Sequence, residues 1–148
     1  MTDTPHFPQI ERLIQVCNAV RVGIDDFESL ARSSGNSVLF FAGDPARYPE
    51  SIDMAVILPE IAEAFPGNFR IMLVGEDAEK PLQAKFGFSV WPALVFLRDG
   101  DYVGVMTGAY NWDDCLREVD GLLQAPTSRP PGIGLPIIVE APTAVEVK

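Results

Sequence analysis

A proline stands directly before a strongly apolar segment, and this arrangement restricts the folds open to the chain. The segment ALVFL, residues 93–97, is a short continuous apolar run that predicts a strand buried on both faces. Proline removes a hydrogen-bond donor from a sheet, so Pro92 is unusual at this position. A cis peptide bond between Trp91 and Pro92 explains it, because the chain then turns sharply before the strand. We therefore predict a structural cis-proline at Pro92.

The remaining hydrophobic pattern predicts a mixed sheet flanked by helices. The strand at 93–97 is joined to a returning strand at 102–106 by a hairpin of the Asp-Gly kind. Buried strands are also predicted at residues 37–42 and 69–74. The element order is βαβαββα with an extra N-terminal helix, an α/β fold with one mixed sheet and helices on both faces. Helices are predicted at residues 8–20, 25–35, 52–65, 79–86 and 111–123.

Two of these helices carry a residue with a specific expected effect. Pro59 lies inside the helix at 52–65, and it is expected to kink that helix or to split it, because proline cannot donate its backbone hydrogen bond. Asn111 precedes the last helix and is its expected N-cap.

The composition changes abruptly at residue 125. Residues 1–124 are predicted to form one domain, which suits a chain of 148 residues. Residues 125–148 are rich in proline and lack a helical period, which predicts an extended or disordered tail. The apolar piece at 135–139 could add to a sheet edge or bind a partner, although simple flexibility is the preferred interpretation.

The net charge of −10 restricts the partners of the chain. It repels nucleic acid and anionic lipid and favours a basic partner, although solubility alone would also explain it. No apolar run reaches the roughly 20 residues that a membrane span needs. Residues 1–8 have neither the basic nor the apolar region of a signal peptide. We therefore expect a cytoplasmic protein without direct membrane insertion.

The residues that could support catalysis are few. Cys17 and Cys115 are far apart, so the chain has neither a CxxC redox pair nor a zinc-type cluster. Both occur among apolar neighbours in predicted helices, which favours core thiols over reactive ones. His6 is the only histidine, which leaves little for a catalytic triad or a metal site. We expect no catalytic residue, no metal and no cofactor.

From residue 69 to about residue 119 the chain resembles thioredoxin. The resemblance includes the helix that ends in KFGF, residues 85–88, the proline at Pro92 and the glycines at Gly100 and Gly108. The segment that replaces the thioredoxin active site, residues 43–57, contains no cysteine. Leu39 stands where thioredoxins carry a buried acid beneath the dithiol. The resemblance therefore implies a thioredoxin-like fold that has lost thiol–disulfide exchange.

Within this fold, residues 8–124 resemble the HyaE/HupG proteins of [NiFe]-hydrogenase maturation. The stretch GDPARYPES at 43–51 is the most specific part, supported by the run from 41 to 65, by 86–88, by 92–100 and by Trp112. The resemblance implies a cytoplasmic, non-catalytic chaperone without a cofactor. Its implied partner is the hydrogenase small subunit precursor, whose twin-arginine signal peptide is bound before export; other maturation proteins are further implied partners. A basic signal peptide suits a protein of negative charge.

The segment at 43–51, together with Asp53 just after it, supplies most of the residues that we expect to contact this partner. Its acidic side chains could face a basic peptide, and Arg47 and Tyr48 could provide shape or stacking. A local explanation is equally open: Asp44 caps a turn, the other acids serve the first turn of the next helix, and Arg47 pairs with one of them. The predicted partner-binding residues here are Asp44, Arg47, Tyr48, Glu50 and Asp53.

Trp91 is the sixth predicted binding residue. It either packs over the place of the missing dithiol or forms an exposed anchor. The backbone before Pro92 could hold an extended peptide by strand addition, although an architectural role is preferred for Pro92 itself. The nearby acidic run Glu76, Asp77 and Glu79 is expected to be a solvated loop and helix start rather than a docking patch.

Two other classes of function remain open. The chain could be a thioredoxin-like structural subunit that forms a homodimer or joins a larger assembly. A residual thiol oxidoreductase that uses Cys17 or Cys115 is a further alternative, less favoured because neither cysteine has a partner thiol nearby in the sequence.

Overall fold

A computed structural model of the chain describes residues 8–130, apart from Ser34, Pro45, Ala109 and Tyr110. Within these residues helices and strands alternate, apart from two consecutive strands before the last helix. The elements are α1 Pro8–Cys17, β1 Val20–Val22, α2 Phe27–Arg32, β2 Asn36–Phe41, α3 Glu50–Ala64, β3 Arg70–Val74, α4 Glu76–Phe86, β4 Ala93–Arg98, β5 Asp101–Thr107 and α5 Trp112–Gln124.

The five strands form one sheet in the order β1-β3-β2-β4-β5. β3 runs parallel to both β1 and β2, whereas β4 runs antiparallel to β2 and to β5. The predicted mixed sheet is therefore confirmed. β2 is the central strand, and helices cover both faces of the sheet, so its residues 37–41 are all buried. This burial explains why its sequence is a nearly continuous apolar run.

Alternate side chains of the strands supply two hydrophobic cores, one on each face of the sheet. Val38 and Phe40 of β2 point into the core that α1, α3 and α5 cover. Leu39 and Phe41 point into the core that α2 and α4 cover. The additional helix α1 packs on α3. The prediction of helices on both faces and of an extra N-terminal helix is confirmed.

The first helix ends earlier than predicted, and a short strand follows it. α1 ends at Cys17 because Asn18 has a φ of 56°, in the left-handed region that a helix cannot continue through. Residues 20–22 form the edge strand β1 beside β3. Three residues are too few for an alternating pattern to predict a strand, so this element was not expected.

The expected split at Pro59 does not occur. α3 is one continuous helix of 15 residues, and Leu58 and Ile61 on either side of Pro59 are buried in the core. The packing of this face outweighs the loss of one backbone hydrogen bond. α4 likewise continues through Pro81, which lies in its second turn.

The local signals around β4, β5 and α5 are confirmed. The peptide bond between Trp91 and Pro92 is cis, and Asp99 and Gly100 both have a positive φ, as a tight Asp-Gly hairpin requires. The side chain of Asn111 accepts a hydrogen bond from the backbone N–H of Asp114 at 2.8 Å, so Asn111 is the N-cap of α5.

The C-terminal end of α5 is held by Arg98 from the end of β4. The guanidinium donates to the carbonyl oxygens of Leu123 at 2.9 Å and Ala125 at 2.6 Å, and also to the side-chain oxygen of Asn36 at 3.1 Å. The positive charge also suits the negative end of the helix dipole. Beyond α5, the backbone N–H of Ser128 donates to the carbonyl of Tyr102 at 2.8 Å. The predicted division of the chain at residue 124 stays a prediction, since residues 131–148 lie outside the described residues. His6 also lies outside them.

Replacing Arg98 with lysine should lower the free energy of unfolding by about 1–3 kcal/mol, because an ammonium group cannot reach three acceptors that a planar guanidinium reaches together. Urea unfolding followed by circular dichroism measures this loss. Arg117→Lys is the matched control, since Arg117 is exposed and makes one ion pair with Asp114 at 3.7 Å. Its expected change is below roughly 0.5 kcal/mol. Equal effects of the two substitutions would contradict the role assigned to Arg98.

Candidate partner-binding site

Three loops meet at one end of the sheet. The last residue of β2, Phe41, pairs with the first residue of β4, Ala93. The loop between β2 and α3 (residues 42–49, here the 42–49 loop) therefore lies next to the segment that precedes β4. The beginning of α4 follows β3, which is parallel to β2, and so it reaches the same end. Carboxyl ends of parallel strands are a common place for binding sites.

Asp44 organises the 42–49 loop. Its carbonyl oxygen accepts hydrogen bonds from the backbone N–H groups of Arg47 at 2.9 Å and Tyr48 at 2.8 Å, and its carboxylate accepts from the N–H of Ala46 at 3.0 Å. The local explanation for Asp44, a turn cap, is confirmed. The residue is nonetheless exposed, so it can carry out this role and still face a partner.

Ser51 closes the loop onto the sheet. Its hydroxyl donates to the carbonyl oxygen of Ala42, and its side chain is fully buried. Glu50 and Asp53 flank it in the first turn of α3, where a negative charge is stabilised by the helix dipole. Both carboxylates are exposed to solvent.

Aromatic rings connect the loop to the core. The ring of Tyr48 stacks on Trp91, with 5.8 Å between centroids and 21° between planes. The edge of Phe88 meets Trp91 at 5.3 Å, and Phe88 in turn contacts Phe41 at 4.7 Å. Trp91 is partly exposed and Phe88 is buried. Trp91 therefore packs over the end of β2, in line with the first of its two predicted placements, packing rather than full exposure. It nevertheless remains partly exposed.

Arg47 does not form the expected ion pair. Its guanidinium carbon lies 5.5 Å from the centre of the Tyr48 ring, in a cation–π contact. Among the described residues, neither Asp44, Glu50 nor Asp53 lies within ion-pair distance of it. The reason is that the turn places Arg47 beside the ring of its neighbour. The three acidic groups are thus left without a described basic partner.

Glu79 links two of these loops, and sequence reasoning missed it. One carboxylate oxygen accepts from the indole N–H of Trp91 at 2.9 Å, and the other accepts from the backbone N–H of Gly43 at 3.1 Å. The expectation of a solvated side chain was wrong for Glu79, which is half-buried, and right for the exposed Glu76 and Asp77. Burial raises the pKa of Glu79, and its two hydrogen bonds oppose that rise.

A sequence signal existed for the partial burial of Glu79, although not for its partners. Ala78, Leu82 and Phe86 are the buried residues of α4 and recur at a spacing of four. Glu79 lies three residues before Leu82, so its side chain shares part of that inward side of the helix. The spacing alone could have separated Glu79 from the other two acids.

Gly43 occupies a position that no other residue fits well. Its φ is +65°, which disfavours any residue with a Cβ atom. A Cβ atom built there would also lie 2.8 Å from a ring atom of Trp91 and 2.8 Å from one of Tyr48. The glycine therefore permits both the turn and the ring stack.

No thiol lies in this site. Leu39, at the position of the thioredoxin acid, is fully buried in the core under α2 and α4. Cys115 is buried and Cys17 is partly buried, and burial raises the pKa of both thiols. A raised pKa leaves little reactive thiolate near neutral pH.

Two further kinds of feature are absent from the part of the chain that the structure describes. Its His, Cys, Asp and Glu residues form no group of three or more that could hold a metal ion. Within the same residues, no helix is both long enough and apolar enough to cross a bilayer.

Comparison with known proteins assigns the family. The model of the family described as Hydrogenase-1 expression protein HyaE matches residues 9–115, which include every element from α1 to the first turn of α5. The chain belongs to the HyaE family. The similarity to HyaE/HupG proteins that the sequence motifs suggested is confirmed, and it includes the whole of the candidate site.

Curated relatives carry the same kind of description. The chain is 46% identical to the hydrogenase expression/formation protein HoxO of Cupriavidus necator over 136 residues, which are 90% of this chain and 84% of HoxO. It is 41% identical to HoxO of Azotobacter vinelandii over 116 residues, 78% of each chain. A crystal structure of the hydrogenase expression/formation protein hupG from Rhodopseudomonas palustris shares 35% identity and a TM-score of 0.50, with 70% of this chain and 94% of that chain covered. The thioredoxin-like fold expected for a member of the HyaE family is confirmed.

The structure brings the predicted site residues together in part. Tyr48 and Trp91 are in direct contact, and Arg47 joins them through Tyr48. Asp44 contacts Arg47 and Tyr48 through its backbone carbonyl. No described hydrogen bond joins the carboxylates of Asp44, Glu50 or Asp53 to the ring stack. Whether these six residues bind a partner stays a prediction. The six are Asp44, Arg47, Tyr48, Glu50, Asp53 and Trp91.

Proposed function

We propose that this HyaE-family protein is a non-catalytic cytoplasmic chaperone in [NiFe]-hydrogenase maturation. It binds the twin-arginine signal peptide of the hydrogenase small subunit precursor before export, through the end of the sheet that carries the 42–49 loop. One observation carries the proposal. The 42–49 loop, packed on Trp91 and followed by Glu50 and Asp53 in the first turn of α3, occupies the place where a thioredoxin has its dithiol.

Charge supports a basic ligand at this end. Asp44, Glu50 and Asp53 are exposed and lack a described basic partner, and the chain as a whole carries a net charge of −10. Carboxylates in such an arrangement attract a cationic peptide over a distance of about a Debye length, roughly 8–10 Å at physiological salt. The basic region of a signal peptide has the complementary charge.

Apolar surface supports a ligand that is also hydrophobic. Val90 is 49% exposed and lies next to Trp91. The backbone N–H of Gly108 donates to the carbonyl of Pro92 at 3.0 Å, which places the start of the β5–α5 connection beside the same segment. Trp112, the first residue of α5, is 40% exposed. A signal peptide combines a basic and an apolar region, and it therefore suits a surface that presents exposed acidic side chains together with the partly exposed Trp91 and Val90.

The same features argue against retained redox chemistry. A thiol reductase requires a thiolate of lowered pKa that its substrate can reach. Here the site residues include no cysteine, and both cysteine thiols lie elsewhere with a raised pKa. The protein therefore acts by binding.

Co-purification tests the proposed partner in cells. The tagged chain should retain the small subunit precursor from hydrogenase-producing cells and should lose it when the signal peptide is deleted from the precursor. Retention of the truncated subunit at the same level would instead favour the folded subunit as the ligand. Recovery of the tagged chain with itself alone, at the mass of a dimer, would favour the alternative of a structural subunit.

A further inference from the structure

We infer that Glu79 is a positioning residue, which fixes the 42–49 loop to Trp91 so that the proposed binding surface is already formed before a partner arrives. The inference rests on the proposed function for its effect on binding. The geometric part, the fixing of the loop, can be tested without any partner.

Glu79 joins three segments that are distant in the sequence. The carboxylate belongs to the first turn of α4, Gly43 begins the 42–49 loop, and Trp91 precedes β4. A ring stack tolerates sliding and rotation, whereas two hydrogen bonds at 2.9 and 3.1 Å are directional. The carboxylate therefore sets which face of Trp91 meets Tyr48.

The chemistry of the two donors explains why a carboxylate stands here. Both groups that face Glu79 are N–H donors, and an ionised carboxylate is the side chain that offers an acceptor to each. A glutamine of the same shape offers one oxygen, and its NH₂ group then faces the second N–H. Glu79→Gln therefore keeps the size of the side chain and removes one of the two connections.

The half-buried location strengthens these bonds. Hydrogen bonds to charged groups contribute more than those between neutral groups, and more so where water is partly excluded. Glu76 is on the same turn of α4 but exposed, and no described hydrogen bond joins it to either loop. Glu76→Gln is therefore a matched control that removes the same charge from nearly the same place.

The first experiment measures the loop itself by NMR hydrogen exchange. In Glu79→Gln the backbone amide of Gly43 should exchange about tenfold faster relative to the amide of Leu39 in the core, and the indole N–H resonance of Trp91 should shift. Glu76→Gln should leave both unchanged. The comparison with Leu39 separates local loosening from a general loss of stability. An unchanged Gly43 amide together with an unchanged Trp91 indole resonance in Glu79→Gln would overturn the inference.

The second experiment measures binding of a synthetic twin-arginine signal peptide in two backgrounds. Glu79→Gln should weaken binding roughly tenfold in the natural chain and less than about twofold in Trp91→Phe, where the remaining amide oxygen can serve Gly43. If Glu79 acted only through its negative charge, the loss would be the same in both backgrounds, and this result would overturn the positioning role. If the natural chain does not bind the peptide, the proposed function fails, while the exchange experiment still decides whether Glu79 fixes the loop.

Discussion

Gly43→Ala is expected to disrupt the candidate site more than the addition of a single methyl group at any other position in the site. The added Cβ would lie 2.8 Å from ring atoms of both Trp91 and Tyr48, so one ring or the loop must move. The positive φ adds a cost of about 1–2 kcal/mol, and the steric overlap adds roughly 1–3 kcal/mol. We expect the free energy of unfolding to fall by about 2–4 kcal/mol, and the binding of a signal peptide to weaken at least tenfold.

Gly67→Ala separates strain from overlap. Gly67 has a similar φ of +74°, but a Cβ atom there has no heavy atom within 4 Å. The free energy of unfolding of Gly67→Ala should therefore fall only by the strain cost of about 1–2 kcal/mol, and binding should be unchanged. Thermal or urea unfolding gives the stability of both variants, and the fluorescence of the tryptophans reports the ring stack. If the two variants were equally stable and bound equally well, the close packing around Gly43 would have no energetic role.

Neutralising the three exposed acidic side chains of the candidate site is expected to have the largest effect on binding. Asp44→Asn, Glu50→Gln and Asp53→Asn together remove three negative charges and keep the side-chain sizes, and asparagine can still cap the turn at residue 44. With coupling of about 0.5–1 kcal/mol per exposed charge pair, the affinity for a basic peptide should fall about 10- to 100-fold. The dependence of the affinity on salt should also become weaker, because fewer charges are left to be screened.

A second triple variant controls for net charge. Glu60, Glu118 and Asp120 are exposed and lie farther along α3 and α5, away from the 42–49 loop. Glu60→Gln, Glu118→Gln and Asp120→Asn together change the net charge by the same amount. We expect less than about a threefold change in affinity from this variant, since charges more than a Debye length away are largely screened. Equal losses in the two triple variants, measured by calorimetry at several salt concentrations, would show that overall charge and not this loop attracts the peptide.

Most of the fold follows from the sequence because its signals are local and agree with one another. The continuous apolar runs of β2, β3 and β4, the Asp-Gly hairpin and the Asn111 cap each identify an element without knowledge of its neighbours. The errors arise where tertiary contacts decide. Three residues in β1 are a strand only because β3 lies beside them, and α3 passes through Pro59 because its buried face holds it.

The candidate site was predictable in its location and not in its internal contacts. The stretch at 43–51 and Trp91 were identified from the sequence, and the structure places them together. Glu79 lies 36 positions from Gly43 and 12 positions from Trp91 in the sequence. No local sequence pattern predicts a hydrogen bond between residues that far apart. That Arg47 has no ion pair among the described residues likewise follows from the direction in which the turn carries its side chain.

The segment that stands in place of the thioredoxin dithiol is held by contacts of its own. In this HyaE-family protein the loop is capped by Asp44, tied to the sheet by Ser51 and connected to α4 through Glu79. Such a set of contacts stabilises one surface, and a preorganised surface lowers the entropic cost of binding.

Isothermal titration of a synthetic twin-arginine signal peptide into the full chain tests the central claim most directly. The peptide should correspond to a hydrogenase small subunit, and a version with both arginines replaced by glutamine serves as the control. At low salt we expect saturable one-to-one binding at micromolar concentrations, weaker binding of the control peptide, and loss of affinity as salt is raised. Absence of binding at tens of micromolar and low salt, or equal binding of both peptides, would contradict the account.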